Sequence, residues 1–306
     1  MIMTKTVFVS IVGQTNAGKS SLLNSMIGEK IAAVSDKTQT TRTRITGILT
    51  EGELQYVFMD TPGVHKGKNK LSGYMMKAVE ESISGIDAII MVHDITKRIT
   101  DQEEKLVKSF GKKTPVILVL NKIDLIENKE EIAAKIASVM KLHDFADIIP
   151  ISVTENDGVD IVRECVSKYA SEGPHYFPDE KFTDQPERVL AGEMVREQIL
   201  RLMRDEVPHG IAVTIEDMSE RITGSGEDIL DISAVIYCER DSHKGMVIGK
   251  NGAMLKKIGQ GARASLENFF RIKVNLQCWV KVREDWRNKE GLIRNFGLSN
   301  NSTNIK

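Results

Sequence analysis

Residues 4–27 read TKTVFVSIVGQTNAGKSSLLNSMI, and this stretch decides the fold. TVFVSIV (6–12) is a near-continuous apolar run, the pattern of a strand buried on both faces, whereas KSSLLNSMI (19–27) carries the 3.6-residue spacing of a helix. Between them GQTNAGKS (13–20) matches G-x-x-x-x-G-K-[ST] in the strand-to-helix context that turns a motif match into evidence for phosphate binding. Gly13 and Gly18 let the backbone turn so that N–H groups converge on phosphate oxygens. Lys19 adds charge for the outer phosphates, Ser20 a hydroxyl for Mg²⁺, and the helix its positive end. The candidate cradle therefore comprises Gly13, Gln14, Thr15, Asn16, Ala17, Gly18, Lys19, Ser20 and Ser21.

The alternation continues outward. ILTEGELQYVFMD, AIIMVHD, PVILVLN and DIIPIS read as further strands, with amphipathic segments such as LSGYMMKAVEESI between them. This order predicts an α/β domain over residues 1–170, a mostly parallel sheet with helices on both faces, which the motifs below make a P-loop GTPase domain. Three more motifs follow in chain order, each at a strand's carboxyl end, where open α/β sheets bind ligands. In DTPG, Asp60 can reach the Mg²⁺ shell and the Gly63 N–H can meet a γ-phosphate. In NKID (Asn121, Lys122, Asp124), the Asp124 carboxylate accepts from guanine N1–H and the N2 amino group, a pair that adenine lacks, which selects GTP and GDP over ATP. Lys122 lays its stem along the base. ISVT presents Ser152, Val153 and Thr154 to guanine O6. Between the first two motifs, DKTQTTRTR (36–44) offers a hydroxyl that completes the magnesium shell while γ-phosphate is bound; Thr41 is the first choice and Thr40 the alternate. Ser20, Thr41 and Asp60 form the expected metal set; Asn16, Lys19, Thr41 and Gly63 form the expected catalytic set.

Val64 follows Gly63 at a position where many GTP hydrolases place a water-orienting glutamine, and a valine cannot orient water. Two readings follow: an enzyme with a slow intrinsic rate that draws its catalytic help from elsewhere, or a GTP-liganded binding protein with little hydrolysis. His65 is a weaker substitute for the missing side chain.

SEGPHYFPDEKFTDQPE (171–187) breaks both periodicities with three prolines and a glycine and reads as a linker. Beyond it the order becomes α-β-β-α-α-β, a smaller α+β domain over residues 188–290, followed by a tail at 291–306 whose closing NFGLSNNSTNIK (295–306) is polar and expected to fray. The net charge of −1 conceals an asymmetry: residues 244–290 hold eleven Lys or Arg against four Asp or Glu, which leaves the remainder at −8. Such a split suggests a local polyanion partner. Within the basic stretch VIGKNG (247–252) carries G-x-x-G, a loop that clamps backbone nucleotides of single-stranded nucleic acid when set between two helices. Gly249, Lys250, Asn251 and Gly252 form the clamp, Lys256 and Lys257 extend the phosphate-facing surface, and Val247 and Ile248 are expected to line an apolar groove for bases.

Across nearly its whole length, from GQTNAGKS through QTTR, DTPG, NKID and ISVT to MVIGKNGAMLKKIG, the chain resembles the bacterial Era family of GTPases, with a type II KH domain after the GTPase domain. The resemblance implies binding to the 3′ end of small-subunit ribosomal RNA, help in maturing the small ribosomal subunit, a cytoplasmic location, and peripheral association with the inner membrane. DNA is not an expected partner, and a monomer is expected. Related GTPases with an apolar residue after DTPG recruit a monovalent cation through an asparagine in the glycine loop. Asn16 occupies the matching position, which makes K⁺ an expected activator.

The remaining composition fits a soluble, reducing setting. No apolar run approaches a membrane span, the N-terminus enters a strand without a signal-peptide layout, and Cys165, Cys238 and Cys278 lack metal-ligand spacing.

Overall fold

The computed structural model describes residues 3–63, 69–111, 113–204 and 207–299. Val64 and His65 lie outside the described residues. The chain forms two compact units, one of residues 1–32, 41–67 and 75–184, the other of 33–40, 68–74 and 185–306.

The first unit is built on one sheet. Strands β1 (Lys5–Gly13), β2 (Ile45–Glu51), β3 (Leu54–Asp60), β4 (Ala88–Asp94), β5 (Val116–Asn121) and β6 (Asp147–Ile151) lie in the order β2-β3-β1-β4-β5-β6. All neighbours are parallel except β2, which runs antiparallel to β3. β4 and β5 are buried along their full lengths, as their unbroken apolar runs require. Helices α1 (Lys19–Ile27), α3 (Asp101–Ser109), α4 (Lys129–Val139) and α5 (Val159–Ser167), with α2 (Lys70–Ser82) from Met75 onward, complete the unit. A core of Val12, Ile89, Met91, Leu118 and Leu120 from the sheet meets Val79, Leu106, Val107 and Val139 from α2, α3 and α4. The parallel register brings the carboxyl ends of β1, β3, β4 and β5 to one edge, where all the nucleotide motifs sit.

Residues 171–184, read in the sequence as connecting chain, are bound into this unit. Ser171–Glu172 forms a short strand, β7, antiparallel to Lys5 and Thr6. Gln55, fully buried, accepts from the Tyr176 and Phe177 amides at 2.8 and 3.0 Å and donates to the Phe177 carbonyl at 2.9 Å. Thr183 Oγ1 donates to the Thr46 carbonyl at 2.6 Å. Prolines prevent regular structure here, yet one buried amide satisfies the backbone.

The second unit carries α6 (Glu187–Leu202), β8 (Ala212–Ile222), β9 (Asp228–Cys238), α7 (Asp241–Ile248), α8 (Ala253–Phe270) and β10 (Lys273–Val282). β9 is central, antiparallel to β8 and parallel to β10. Alternate residues Leu230, Ile232, Ala234, Ile236 and Cys238 point to the helices and pack with Val195, Ile199, Ile258, Ala262 and Leu266. The expected fraying tail is in part a structural element. Helix α9 (Glu290–Asn295) buries Ile293, and Phe296 stacks on Tyr237 at 4.6 Å and meets Trp286 edge-on at 5.4 Å. Ile293 and Phe296 are the contacts that dock it. Among the described residues no helix is long and apolar enough to cross a membrane.

Candidate functional site

The glycine loop joins β1 to α1, and its shape depends on residues that leave room. Gly18 has φ +103°, and a Cβ there would lie 2.1 Å from Asn121 Nδ2. Gly63 likewise admits no side chain, since a Cβ would lie 2.6 Å from Thr15 Cα. These two close approaches hold the DTPG and NKID segments against the loop, which no larger residue permits.

Lys19 is 5% exposed and folds back over the loop, donating to the Gly13 and Gln14 carbonyls at 3.2 and 2.8 Å. Burial lowers its pKa to about 8 against the opposing pull of Asp60 and Glu103. Ser20, Thr41 and Asp60 converge: Ser20 Oγ lies 2.6 Å from Asp60 Oδ2 and 2.7 Å from Thr41 Oγ1, and Thr41 Oγ1 lies 3.4 Å from Asp60 Oδ2. Asp60 is fully buried, and burial raises its carboxyl to about 6 despite Lys19, Ser20 and Thr41. Its Oδ1 has no hydrogen-bond partner among the described residues. Two hydroxyls and a desolvated carboxylate with an orphaned oxygen form an all-oxygen set suited to a hard divalent cation. The alternate Thr40 is turned elsewhere, its hydroxyl lying 2.8 Å from Ser35 Oγ and donating to the Lys37 carbonyl at 2.7 Å.

The base-recognition residues are tied together. Asn121 donates to the Ala17 carbonyl at 2.9 Å and accepts from the Val153 amide at 3.2 Å, joining the glycine loop, NKID and ISVT through one side chain. Ser152 Oγ donates to Asp124 Oδ1 at 2.6 Å and accepts from the Glu155 amide at 3.2 Å. Thr154 is exposed at the turn that follows.

The sequence reading missed the residues behind this front. Asp94, which ends β4, receives the Lys122 ammonium at 2.6 Å and the Thr96 hydroxyl at 2.6 Å. Gln14 donates to the Thr100 hydroxyl, Thr100 forms a reciprocal capping box with Glu103 at the start of α3, and Glu103 lies 2.7 Å from buried His93. The available signal was position: Asp94 closes AIIMVHD at the same sheet edge as the motifs.

In the second unit the G-x-x-G loop does lie between α7 and α8, and Lys250, Asn251, Lys256 and Lys257 are exposed. A cavity of about 360 Å³ beside it is lined by Gly252, Leu255, Lys256, Arg263, Leu276 and Cys278, among others. One expectation is corrected. Val247 is fully buried in the core with Ile199 and Ile258 and cannot receive a base, because the inward face of α7 supplies the core; Ile248 is half-buried. Burial, joined at Cys165 by Asp147, raises the thiols of Cys165, Cys238 and Cys278 to about 11, 12 and 11, which disfavours the thiolate.

A glycine loop, an oxygen triad and the Asp124 carboxylate at one sheet edge, with a G-x-x-G domain following in the same chain, are the groups expected of a GTP hydrolase joined to a KH domain. Comparison agrees: residues 8–122 match the family described as 50S ribosome-binding GTPase, and residues 206–287 match the KH domain. The chain belongs to the Era family of GTPases, being 48% identical to GTPase Era of Clostridioides difficile strain 630 over 302 residues, 97% of this chain and 99% of the relative. It is 45% identical over 298 residues to GTPase Era of Ruminiclostridium cellulolyticum, covering 97% of this chain and 98% of that one. A crystal structure of Era in complex with MgGDPNP and nucleotides 1506–1542 of 16S ribosomal RNA superposes with a TM-score of 0.91 at 36% identity, over 97% of this chain and 99% of the other. An Aquifex aeolicus Era variant bound to GDP and AlF4⁻ matches with the same TM-score and identity, over 97% of this chain and 100% of the other.

Proposed function

We propose that this GTPase works with Mg²⁺, engages the 3′ end of small-subunit ribosomal RNA through its KH domain, and assists assembly and rRNA maturation of the small subunit. The observation that carries the reading is the convergence of Ser20, Thr41 and Asp60 beside Lys19. The 36% identical Era crystallised with MgGDPNP and a 16S fragment supports it. In this reading Lys19 leaves its loop carbonyls for phosphate oxygens, and Ser20, Thr41 and Asp60 hold the cation, which neutralises phosphate charge. Thr41 lies 2.7 Å from Ser20 Oγ in this structure, and its segment is where contact with the γ-phosphate side of the site would distinguish GTP from GDP states. The Gly63 N–H meets the γ-phosphate, and electrostatic stabilisation of developing charge supplies most of the acceleration.

Asn16 would hold K⁺, which would add positive charge where a glutamine is lacking. The site of action is the cytoplasm, with peripheral contact to the inner membrane. Purified protein tests the core of this reading: magnesium-dependent GTP turnover lost in Lys19→Ala, together with salt-sensitive binding of a 16S 3′-end oligonucleotide, supports it. Turnover unaffected by Lys19→Ala, or no RNA binding at low salt, refutes it. Equal rates in K⁺ and Na⁺ refute the cation role, and absence from washed membrane fractions refutes the membrane contact.

A further inference from the structure

Behind the nucleotide site, on the first unit, lies a cavity of about 440 Å³ that the GTPase chemistry does not use. Its floor is apolar, formed by Ile95, Ile99, Leu120, Val139 and Leu142, all packed in or against the core. Among the described residues its wall carries Lys97, Arg98, Lys135 and His93 and no carboxylate. That clustering stands out in a chain whose residues outside 244–290 are net negative by eight charges.

The cations are incompletely neutralised. Lys97 lies 3.3 Å from Asp94, which also serves Lys122. Half-buried Lys135 donates only to the Ile95 carbonyl, and among the described residues neither it nor Arg98 has a carboxylate within ion-pair distance. Holding an ammonium partly out of water against a neutral carbonyl costs free energy that an anion returns. The volume falls within the roughly 300–1,000 Å³ of small-molecule pockets, and apolar walls with a few convergent charged groups are the usual make-up of such sites.

We propose that this cavity binds a small amphiphilic monoanion, a carboxylate or sulfonate on an aliphatic or aromatic body. The body lies over Ile95, Val139 and Leu142, and the charged end meets Arg98 and Lys135. Because Lys97 borders the cavity and also contacts Asp94, the ligand reaches the residue that anchors Lys122. The site is separate from the phosphate loop, so saturating GDP does not compete for it.

The test uses the full chain with GDP bound and 8-anilinonaphthalene-1-sulfonate as the fluorescent probe. Octanoate serves as competitor and octanol as its neutral counterpart. The expected result is saturable binding that octanoate displaces and octanol does not, weakened at least tenfold in Arg98→Ala/Lys135→Ala. Ser138→Trp, which fills the mouth from an exposed helix position and keeps every cation, weakens it similarly; retained GDP affinity in each variant shows that it folds. Probe affinity unchanged in either variant, or displacement by octanol as effective as by octanoate, overturns the proposal.

Discussion

Asp94 Oδ2 lies 2.6 Å from Lys122 Nζ, placing a buried carboxylate behind the lysine whose stem is to lie along the guanine base. Burial would raise the Asp94 carboxyl, but the Lys122 and Thr96 hydrogen bonds outweigh it and hold the group at about 2. A folded pKa below the ordinary value stabilises the fold above roughly pH 4, and that contribution is lost as pH falls toward 2. Asp94→Asn should therefore cost about 1–2 kcal/mol at pH 7, after allowance for the partial exposure of Lys122. In urea denaturation the gap between the two proteins should narrow below pH 4; a gap as wide at pH 3 as at pH 7 would contradict the ion pair. A GDP Kd raised about tenfold, equivalent to ~1.4 kcal/mol, is expected from the loosened lysine.

Asp124 and Ser152 divide base recognition unequally. The carboxylate is to accept two guanine donors, whereas Ser152 only orients it with a 2.6 Å hydrogen bond. Asp124→Asn should weaken GDP by about 10²–10³-fold, because the amide presents a donor where guanine presents another. Ser152→Ala should cost about 0.5–1.5 kcal/mol of binding, one hydrogen bond's worth. Equilibrium titration with a fluorescent GDP reads both, and an equal loss in the two variants would argue against the division.

Asp60 supplies the pH dependence of the metal set. Its carboxyl, raised to about 6 by burial, keeps a proton in the ligand-free fold that an unfolded chain would release near pH 4. That proton must leave before a cation binds, so apparent Mg²⁺ affinity should fall about tenfold per pH unit below 6 and be flat above it. By the same sign, ligand-free stability contributed by this group declines as pH rises from 4 to 6. Magnesium titrations of GTP-analogue binding at pH 5, 6 and 7 check the first statement, and Asp60→Asn should remove the pH slope with most of the affinity.

The nucleotide motifs were legible because each is a short backbone-and-side-chain device tied to a strand end, which apolar runs reveal. Gly13 to Ser20, Asp60, Asn121 and Asp124 needed no tertiary information. Asp94, Thr100 and Glu103 did, since their roles arise from register between β1, β4 and β5 and from the cap of α3. The same limit misplaced Val247, because an eight-residue helix shows too little period to reveal which apolar neighbour faces inward. Residues 171–184 were unreadable for a related reason: their order comes from partners more than a hundred residues away, Lys5 and Thr6 on β1, Thr46 and Gln55.

The Val247 correction separates stability from RNA binding in the KH unit. Val247→Ala opens space in the core and should cost about 0.5–3 kcal/mol of stability while leaving the RNA surface in place. Gly259 lines the groove on α8, and a Cβ there meets nothing within 4 Å. Gly259→Leu should therefore block bases while favouring the helix by up to about 1 kcal/mol. Lys250→Ala and Lys257→Ala act differently again, each removing one phosphate contact and lowering the slope of log K against log salt by about 0.7 for single-stranded RNA. Gel shifts with a 16S 3′-end oligonucleotide across salt concentrations distinguish the three classes. Gly259→Leu should lose affinity at unchanged slope, the lysine variants should lose both, and Val247→Ala should lose neither at temperatures where it stays folded; an RNA defect in folded Val247→Ala would return that residue to the groove.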